Sequence, residues 1–256
     1  MGRAAVGSSR ARYGATRRRF AQVVRSLAAT WRTIELVRAR CGDIEMAWSE
    51  WGGGEPLVLV HGLRDDHRAW SGVLPWLAPH RRVIAPDLRG HGQTSLGSAD
   101  GTLAQLAGDL VAFLDAAGLE RADLCGFSLG GTIVLRVAID HPGRVGRLMP
   151  VATSSRVGRA AVAWYQEQAA AADEPGHANA CRAMARLGKE PLDPELHRVQ
   201  APTLVVAAER DELCPPRAGA IIAAGIAGAR LRVVPGAGHH VAQERPEELS
   251  RAVLSA

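Results

Sequence analysis

The sequence predicts an α/β protein with an open, mostly parallel β-sheet that helices cover on both faces. Strand and helix patterns alternate along the chain after residue 30, as expected for repeated βα units. Residues 57–60 are continuously apolar, which is typical of a strand buried on both faces of a parallel sheet. A chain of 256 residues can form one sizeable core, so we expect a single domain over residues 31–256.

The first strands after residue 30 are predicted to form an antiparallel hairpin. Residues 33–38 and 44–51 alternate apolar and polar side chains, and Cys41, Gly42 and Asp43 between them favour a turn. The buried part of the sheet is expected to follow directly. Its strands are predicted at residues 57–60, 83–85, 122–127, 145–151, 203–208 and 231–234.

Helices are predicted where apolar residues recur at three- and four-residue spacing. One such pattern covers residues 103–117, and a second runs from Leu129 to about His141, just before Pro142. The last helix is predicted to follow Pro246, because proline is favoured in a first helical turn and acidic residues come next.

One stretch interrupts the alternation of strands and helices. Residues 154–199 contain no strand pattern, only an alanine-rich helical pattern at 157–172 and a second one near 179–187. An insertion between two strands at this position predicts a short helical lid over the carboxyl edge of the sheet. A plain crossover with an extra helix is the alternative.

The formal net charge of +5 originates in the amino-terminal segment. Residues 1–30 hold seven arginines and no acidic residue, whereas the rest of the chain holds 24 basic and 26 acidic residues. Residues 16–20 look like a twin-arginine export signal, but Arg25 interrupts the apolar segment that such a signal needs. We therefore expect a flexible, solvated tail that attracts anions without specificity, and no specific nucleic-acid partner.

Composition narrows the class of protein further. No apolar stretch approaches the roughly 20 residues that span a bilayer. The four cysteines are widely spaced, without a Cys-x-x-Cys pair or a histidine pattern that suggests zinc. The sequence predicts a soluble, cytoplasmic protein with free thiols, without a cofactor or a metal, and it leaves the oligomeric state open.

Residues 126–130, Gly-Phe-Ser-Leu-Gly, are the strongest chemical signal in the chain. The predicted strand 122–127 ends directly before Ser128, so Ser128 is expected on a sharp strand-to-helix turn. Glycines at 126 and 130 lack a Cβ, which lets the strand and the helix approach each other. A serine hydroxyl at this turn is a candidate nucleophile, provided that a base and oxyanion donors are near.

Candidate partners of Ser128 follow later strands. Asp211 comes just after the predicted strand 203–208, and His239 comes after the strand 231–234. Functional side chains of open α/β sheets collect beyond the carboxyl ends of the strands. The chain order serine, acid, histidine is that of the α/β-hydrolase triad and differs from the order in other serine hydrolases.

Further segments resemble members of the α/β-hydrolase fold family, and the resemblance extends from about residue 31 to the carboxyl terminus. Residues 61–63, His-Gly-Leu, are similar to the oxyanion loop of the family, and Trp70 falls where one branch often has a tryptophan. Residues 86–92, Pro-Asp-Leu-Arg-Gly-His-Gly, resemble the segment after the next strand. Residues 236–239 and 244–248 resemble the histidine loop.

The resemblance implies a role for each matching residue. Ser128 would be the nucleophile, His239 the general base, and Asp211 the residue that orients His239 and stabilises its protonated form. The backbone N–H groups of Leu63 and Leu129 would form the oxyanion hole.

Neighbouring residues leave alternatives to this triad. His240 adjoins His239 and is a second candidate base. Glu209 and Glu212 flank Asp211, and either is a candidate for the acid that orients the base. The sequence favours His239 and Asp211 because they match the family pattern.

Other polar residues have structural or metal-binding interpretations. Asp65, Asp66 and His67 form either a metal cluster or a polar loop, and the polar loop is favoured. His61 and His91 belong to family motifs and are expected to hold loops near the site by hydrogen bonds.

The resemblance implies a hydrolase that cleaves a carboxylic ester or lactone of a small-molecule substrate. A serine at the turn argues against haloalkane dehalogenases and epoxide hydrolases, which use aspartate there. Leu63, Phe127 and Trp164 are expected to contact the substrate, although packing against the core explains the apolar lid residues equally well. Thioester or carbon–carbon bond hydrolysis, and a non-hydrolytic lyase, cyclase or ligand-binding protein, are the alternatives.

Overall fold

The computed structural model describes residues 36–256 of the protein. The predicted tail 1–30 and the first residues of the predicted strand 33–38 lie outside this part of the chain. Its strands are β1 (Val37–Cys41), β2 (Ile44–Trp51), β3 (Pro56–Val60), β4 (Arg82–Pro86), β5 (Ala122–Phe127), β6 (Val145–Val151), β7 (Leu204–Ala208) and β8 (Arg230–Val234).

Within residues 36–256, these strands form one sheet in the order β1-β2-β4-β3-β5-β6-β7-β8. β2 is antiparallel to β1 and β4, and all other neighbours are parallel. The mostly parallel sheet predicted from the sequence is confirmed. The chain leaves β3 for β4 on one side and then crosses to β5 on the other. The carboxyl ends of β3 and β5 therefore meet at the point where open α/β sheets form their binding crevice.

Helices lie on both faces of the sheet. Within residues 36–256, no helix is both long and apolar enough to cross a membrane. They are α1 (Leu74–Leu77), α2 (Leu103–Ala116), α3 (Leu129–Asp140), α4 (Arg159–Ala171), α5 (Pro175–Arg186), α6 (Pro216–Gly225), α7 (Val241–Glu244) and α8 (Pro246–Leu254).

The central strand β3 is buried from both sides. Val58 and Val60 belong to the main core cluster, together with residues of α2 and α3. Leu57 and Leu59 alternate with them, so they point to the opposite face of the sheet, and they are equally buried. The continuous apolar run in the sequence therefore reflects two apolar layers, one on each side of the sheet.

The predicted hairpin is present, but its first strand is displaced. Cys41 is the last residue of β1 and pairs with Ile44, so the turn contains only two residues, Gly42 and Asp43. Such a turn needs a positive φ, and Gly42 has φ +62°. The prediction that Cys41 belongs to the turn is wrong because its apolar side chain is buried in the core at the end of the strand.

Residues 154–199 contain α4, α5 and a short 3-10 helix, Asp193–Arg198. α4 corresponds to the predicted helix 157–172. α5 begins earlier than the predicted 179–187, at Pro175, a residue favoured in the first helical turn. α4 contains no buried residue, whereas α5 is largely buried. The start of α5 lies directly on the loop after β4, where a Cβ on Gly176 would come within 2.1 Å of the Gly90 carbonyl oxygen.

Candidate active site

The turn between β5 and α3 holds Ser128 in a backbone conformation that side chains rarely adopt. Ser128 has φ +52° and ψ −117°, and such conformations cost about 1–3 kcal/mol and cluster at functional sites. The flanking glycines make the turn possible. A Cβ on Gly126 would lie 2.3 Å from the Gly130 carbonyl oxygen, and a Cβ on Gly130 would lie 2.2 Å from the Val60 oxygen.

The structure brings Ser128, His239 and Asp211 together in one chain of hydrogen bonds. His239 Nε2 lies 3.1 Å from Ser128 Oγ, and His239 Nδ1 lies 2.8 Å from Asp211 Oδ2. An ionised carboxylate only accepts hydrogen bonds, so the proton sits on Nδ1 and Nε2 is left to accept from the serine. This arrangement can remove a proton from Ser128 as its oxygen attacks a substrate.

Asp211 is held by the backbone that follows it. Its side chain is fully buried, and Oδ1 accepts hydrogen bonds from the N–H groups of Leu213 and Cys214, at 2.9 and 2.8 Å. Three donors therefore surround the carboxylate and fix its orientation toward His239.

The alternative partners that the sequence leaves open have other positions. Glu209 accepts a hydrogen bond from the Gly236 N–H at 2.7 Å and so fastens the histidine loop to the end of β7. Glu212 is exposed at the cavity that Ser128 faces. The His240 ring lies 5.6 Å from that of His239, and within residues 36–256 the ring nitrogen that accepts from Ser128 Oγ belongs to His239.

The loop after β3 packs against the serine turn. A Cβ on Gly62 would lie 3.0 Å from the Phe127 ring and 3.3 Å from Cβ of Ser128. Among residues 36–256, no acceptor takes a hydrogen bond from the Leu63 N–H. Leu129 is the first residue of α3, and the first N–H groups of a helix have no acceptor inside it. Two backbone donors without a protein acceptor in this part of the chain thus lie near Ser128, one in the loop that packs against its turn and one in the residue that follows it.

His61 connects this loop to the segment after β4. Its Nε2 accepts from the Leu88 N–H at 2.9 Å, so Nδ1 carries the proton and donates to the Gly62 carbonyl at 2.8 Å. Burial lowers the pKa of His61 to about 4, which keeps the ring neutral and this pattern intact. The predicted structural function of His61 agrees with these contacts.

Asp66, His67 and Asp87 bring their polar atoms together, and such a group could hold a metal ion. The oxygens are already occupied, however. Asp87 accepts from the His67 N–H, from His67 Nδ1 and from the Gln93 N–H, and Asp66 accepts from the backbone and side chain of Arg68. These bonds fit a polar loop that joins β3 to β4.

Ser128 and His239 face a cavity of about 490 Å³. The three predicted substrate contacts Leu63, Phe127 and Trp164 all line it, and Trp164 brings α4 over the site. Sequence reasoning missed other lining residues, because they carry no motif and become neighbours only in the fold: Arg64, Gln168, His177, Leu213 and Cys214.

The thiol of Cys214 is not a competing nucleophile. Burial raises its pKa to about 12, so the thiol stays protonated at neutral pH. The same holds for Cys125 beside the serine turn, whose pKa is raised to about 12 by complete burial.

A mostly parallel sheet, with a serine on a strand-to-helix turn that is hydrogen-bonded to a histidine, is the architecture of serine-type α/β hydrolases. Residues 55–184 match the family model described as alpha/beta hydrolase fold, and residues 168–253 match one described as TAP-like protein. The chain belongs to the α/β-hydrolase fold family.

Individual relatives show how widely the similarity extends. The chain is 31% identical over 241 residues to RutD of Variovorax paradoxus, a proposed carbamate hydrolase, and the match covers 78% of this chain and 91% of RutD. A hydrolase structure from Pseudomonas aeruginosa PA01 superposes with a TM-score of 0.80 at 29% identity, covering 86% of this chain and 97% of that one.

Other curated relatives match over a shorter segment. A dihydrolipoyllysine-residue acetyltransferase component of the acetoin cleaving system from Pseudomonas putida is 41% identical over 119 residues, which cover 46% of this chain and 32% of the relative. A 2-hydroxy-6-oxo-2,4-heptadienoate hydrolase from the same species is 43% identical over 116 residues, 42% of this chain and 41% of the relative. The chain thus spans less than half the length of these relatives.

Proposed function

We propose that the protein is a serine hydrolase that cleaves a carboxylic ester or lactone through an acyl-enzyme on Ser128. The observation that supports this most directly is the pair of contacts at 3.1 and 2.8 Å that connects Ser128, His239 and Asp211 at the floor of a cavity. Apolar side chains, among them Leu63, Phe127 and Trp164, line part of this cavity, which suits an acyl group. Its small-molecule substrate and a cytoplasmic location remain predictions from the sequence.

In the first half of the reaction, Ser128 Oγ forms a bond to the substrate carbonyl carbon while its proton moves to His239 Nε2. The negative charge that develops on the carbonyl oxygen would be held by the N–H groups of Leu63 and Leu129. Asp211 stabilises the protonated His239. That proton then passes to the leaving alkoxide, the carbon–oxygen bond breaks, and the acyl group remains on Ser128.

In the second half, a water molecule attacks the acyl-enzyme. His239 accepts a proton from the water and returns it to Ser128 Oγ as the ester bond to serine breaks, so the carboxylic acid leaves and the free enzyme is restored. For a lactone, the alcohol and the acid belong to one molecule and leave together at this step.

The test is hydrolysis of p-nitrophenyl esters by the wild type and by Ser128→Ala. We expect kcat/KM to fall by at least about a thousandfold in the variant. Ser71→Ala, at an exposed serine outside the cavity, is the matched control and should leave the rate unchanged. Full activity in folded Ser128→Ala would show that another residue is the nucleophile. Mass spectrometry of the wild type with a slow substrate should find the acyl group on Ser128.

Hydrolysis of a carbamate or of a carbon–carbon bond is the second candidate. The relatives named for carbamate and for 2-hydroxy-6-oxo-2,4-heptadienoate hydrolysis favour it, and the same triad can serve these reactions. Screening esters, lactones, thioesters, carbamates and dienoates side by side would distinguish the candidates. A ligand-binding function without catalysis would instead appear as failure of Ser128 to react with a fluorophosphonate probe.

A further inference from the structure

Arg64 directly follows the proposed oxyanion donor Leu63, and its backbone is in the left-handed region, with φ +59°. Such a conformation is uncommon for a residue other than glycine and is found where the surrounding structure requires it. The turn sends the Arg64 side chain into the lining of the cavity that Ser128 faces. A cation is therefore placed one residue from the position where the carbonyl oxygen would bind.

Two neutral side chains hold the Arg64 guanidinium. Its Nε donates to Nε2 of His177 on α5 at 3.1 Å, and its NH2 group donates to Oε1 of Gln168 on α4 at 3.3 Å. The pKa of His177 is lowered by burial and then by the positive charge of Arg64, so the ring is neutral and can accept this hydrogen bond. Side chains of α4 and α5 thus hold the guanidinium in place without neutralising it.

Arg64 differs in this respect from neighbouring arginines. Within residues 36–256, no carboxylate lies at ion-pair distance from Arg64, whereas Arg68 pairs with Asp66 and Arg89 pairs with Asp43 and Asp109. The terminal nitrogen NH1 of Arg64 has no protein acceptor in the same part of the chain. The guanidinium thus keeps both a charge and donors for an external anion.

Two carboxylates also line the cavity and would oppose an anion near them. Burial raises the pKa of Asp65, and the charged neighbours of its carboxyl group are His240, Asp66, His91 and His239. Glu212 adjoins Asp211 in the chain. Both carboxylates are therefore associated with the histidine and Asp211 loops, whereas Arg64 is hydrogen-bonded to α4 and α5. An anionic group of a substrate would be favoured only on the side of the cavity that α4 and α5 form.

We propose that Arg64 binds a carboxylate of the substrate, so that the preferred ester or lactone derives from a short dicarboxylic acid. This inference rests on the proposed hydrolase function. The Cα atoms of Leu63 and Arg64 are about 3.8 Å apart, as in any trans peptide. The anion and the reacting carbonyl would then be separated by no more than about the length of one arginine side chain. A guanidinium binds a carboxylate by paired, charge-assisted hydrogen bonds.

The test compares two esters of similar length that differ in charge, mono-p-nitrophenyl glutarate and p-nitrophenyl hexanoate. The measured quantity is the ratio of their kcat/KM values, with background hydrolysis subtracted. The wild type should favour the glutarate, and Arg64→Gln should lower the ratio about tenfold, because one charge-assisted contact is lost. Arg68→Gln is the matched control in the same loop and should leave the ratio unchanged. Added salt should lower the wild-type ratio.

Arg64→Gly provides a second variant that removes the side chain and relieves the positive φ, since glycine adopts this conformation readily. It should lower the ratio as Arg64→Gln does, and circular dichroism should show both variants folded. A ratio that is the same in wild type and both variants would overturn the inference.

Failure of the proposed hydrolase function would look different. In that case neither ester is hydrolysed faster by the wild type than by Ser128→Ala. The inference is then decided by calorimetric binding of glutarate itself at pH 7. Binding that is clear for the wild type and lost in both Arg64 variants supports it. Equal or undetectable binding in all three proteins contradicts it.

Discussion

Asp211 illustrates how one carboxylate organises the candidate site. It accepts two hydrogen bonds from the N–H groups of Leu213 and Cys214 and one from His239. The first two bonds fix its orientation, and the third determines which ring nitrogen of His239 carries the proton. Because Nε2 must be free of a proton to act as base, the proposed reactivity of Ser128 would depend on a residue that does not touch it.

Asp211→Asn should therefore lower kcat by about three to four orders of magnitude while the protein stays folded. The amide oxygen can still accept from the backbone, and its NH2 group then faces His239 Nδ1. That donor favours the tautomer in which Nδ1 accepts and Nε2 is protonated, which cannot take the serine proton. Steady-state kinetics with a p-nitrophenyl ester measure the loss.

Glu209→Gln and Glu212→Gln are the matched controls, since these carboxylates flank Asp211 but make no bond to His239 within residues 36–256. Both should reduce kcat far less than Asp211→Asn. A larger loss in either one would transfer the orienting function to that glutamate.

Sequence order is enough to propose Ser128, Asp211 and His239, because each follows its own strand and parallel strands end at one edge of the sheet. Arg64 and His177 could not be paired in this way. They are separated by 113 positions and belong to no motif, and only the packing of α5 against the loop after β3 makes them neighbours. Residues at strand ends can be paired from the sequence, whereas contacts that depend on how α4 and α5 pack near the site cannot.

The strand-to-helix unit β5–α3 depends on close backbone contact. Gly130→Ala would place a Cβ 2.2 Å from the Val60 carbonyl oxygen, a backbone atom that cannot rotate away. We expect the substitution to lower the free energy of unfolding by about 3 kcal/mol or more, because the strand and helix must separate. Urea denaturation of wild type and variant measures this difference.

Gly108→Ala is the matched control on α2. Gly108 is an exposed helical position where an added Cβ meets nothing within 4 Å. Alanine should raise the free energy of unfolding by about 0.5–1 kcal/mol, since it favours the helix. Equal stability of Gly130→Ala and wild type would contradict the steric argument for the turn.

Elements differ in how well the sequence predicts them. β3 and α3 are predicted closely because a continuous apolar run and a glycine-flanked serine have few alternative interpretations. The first strand is displaced because Cys41 resembles turn chemistry next to Gly42, although its side chain packs in the core. α6 is not predicted at all. Gly219 interrupts its short sequence, Gly225 ends it, and its burial is limited to Gly219 and Ile222, so its apolar periodicity is weak.

At the scale of the whole molecule, the buried histidines in the loops around the site are expected to make the stability of the fold depend on pH. His61 bridges the loops after β3 and β4, and its pKa of about 4 lies below the ordinary value of 6.5 because burial disfavours the charged ring. The pKa values of His91 and His177 are lowered for the same main reason. His67 acts in the opposite sense, since its hydrogen bond to Asp87 raises its pKa.

Between pH 6.5 and about 4, the unfolded chain binds a proton at His61 that the folded chain does not bind. The contribution of His61 to the free energy of unfolding is therefore fully present above pH 6.5, the pKa in the unfolded chain. It is lost as the pH falls toward about 4, the pKa in the folded protein. The size of this single contribution is roughly 2 kcal/mol between pH 7.5 and pH 5. Carboxylates whose pKa values are lowered in the folded protein should reduce its stability further when they become protonated at still lower pH.

His61→Gln isolates this contribution, because an amide can accept from the Leu88 N–H and donate to the Gly62 carbonyl but does not titrate. Wild type should be more stable than the variant at pH 7.5, where its ring fits the loops. The difference in the free energy of unfolding, measured in urea at several pH values, should then change by roughly 2 kcal/mol in favour of the variant by pH 5.

His80→Gln, at an exposed histidine, is the control and should show no comparable change. A wild-type to His61→Gln difference that is constant from pH 7.5 to pH 5 would mean that the ring titrates normally in the folded protein, and the neutral bridge between the two loops would have to be abandoned.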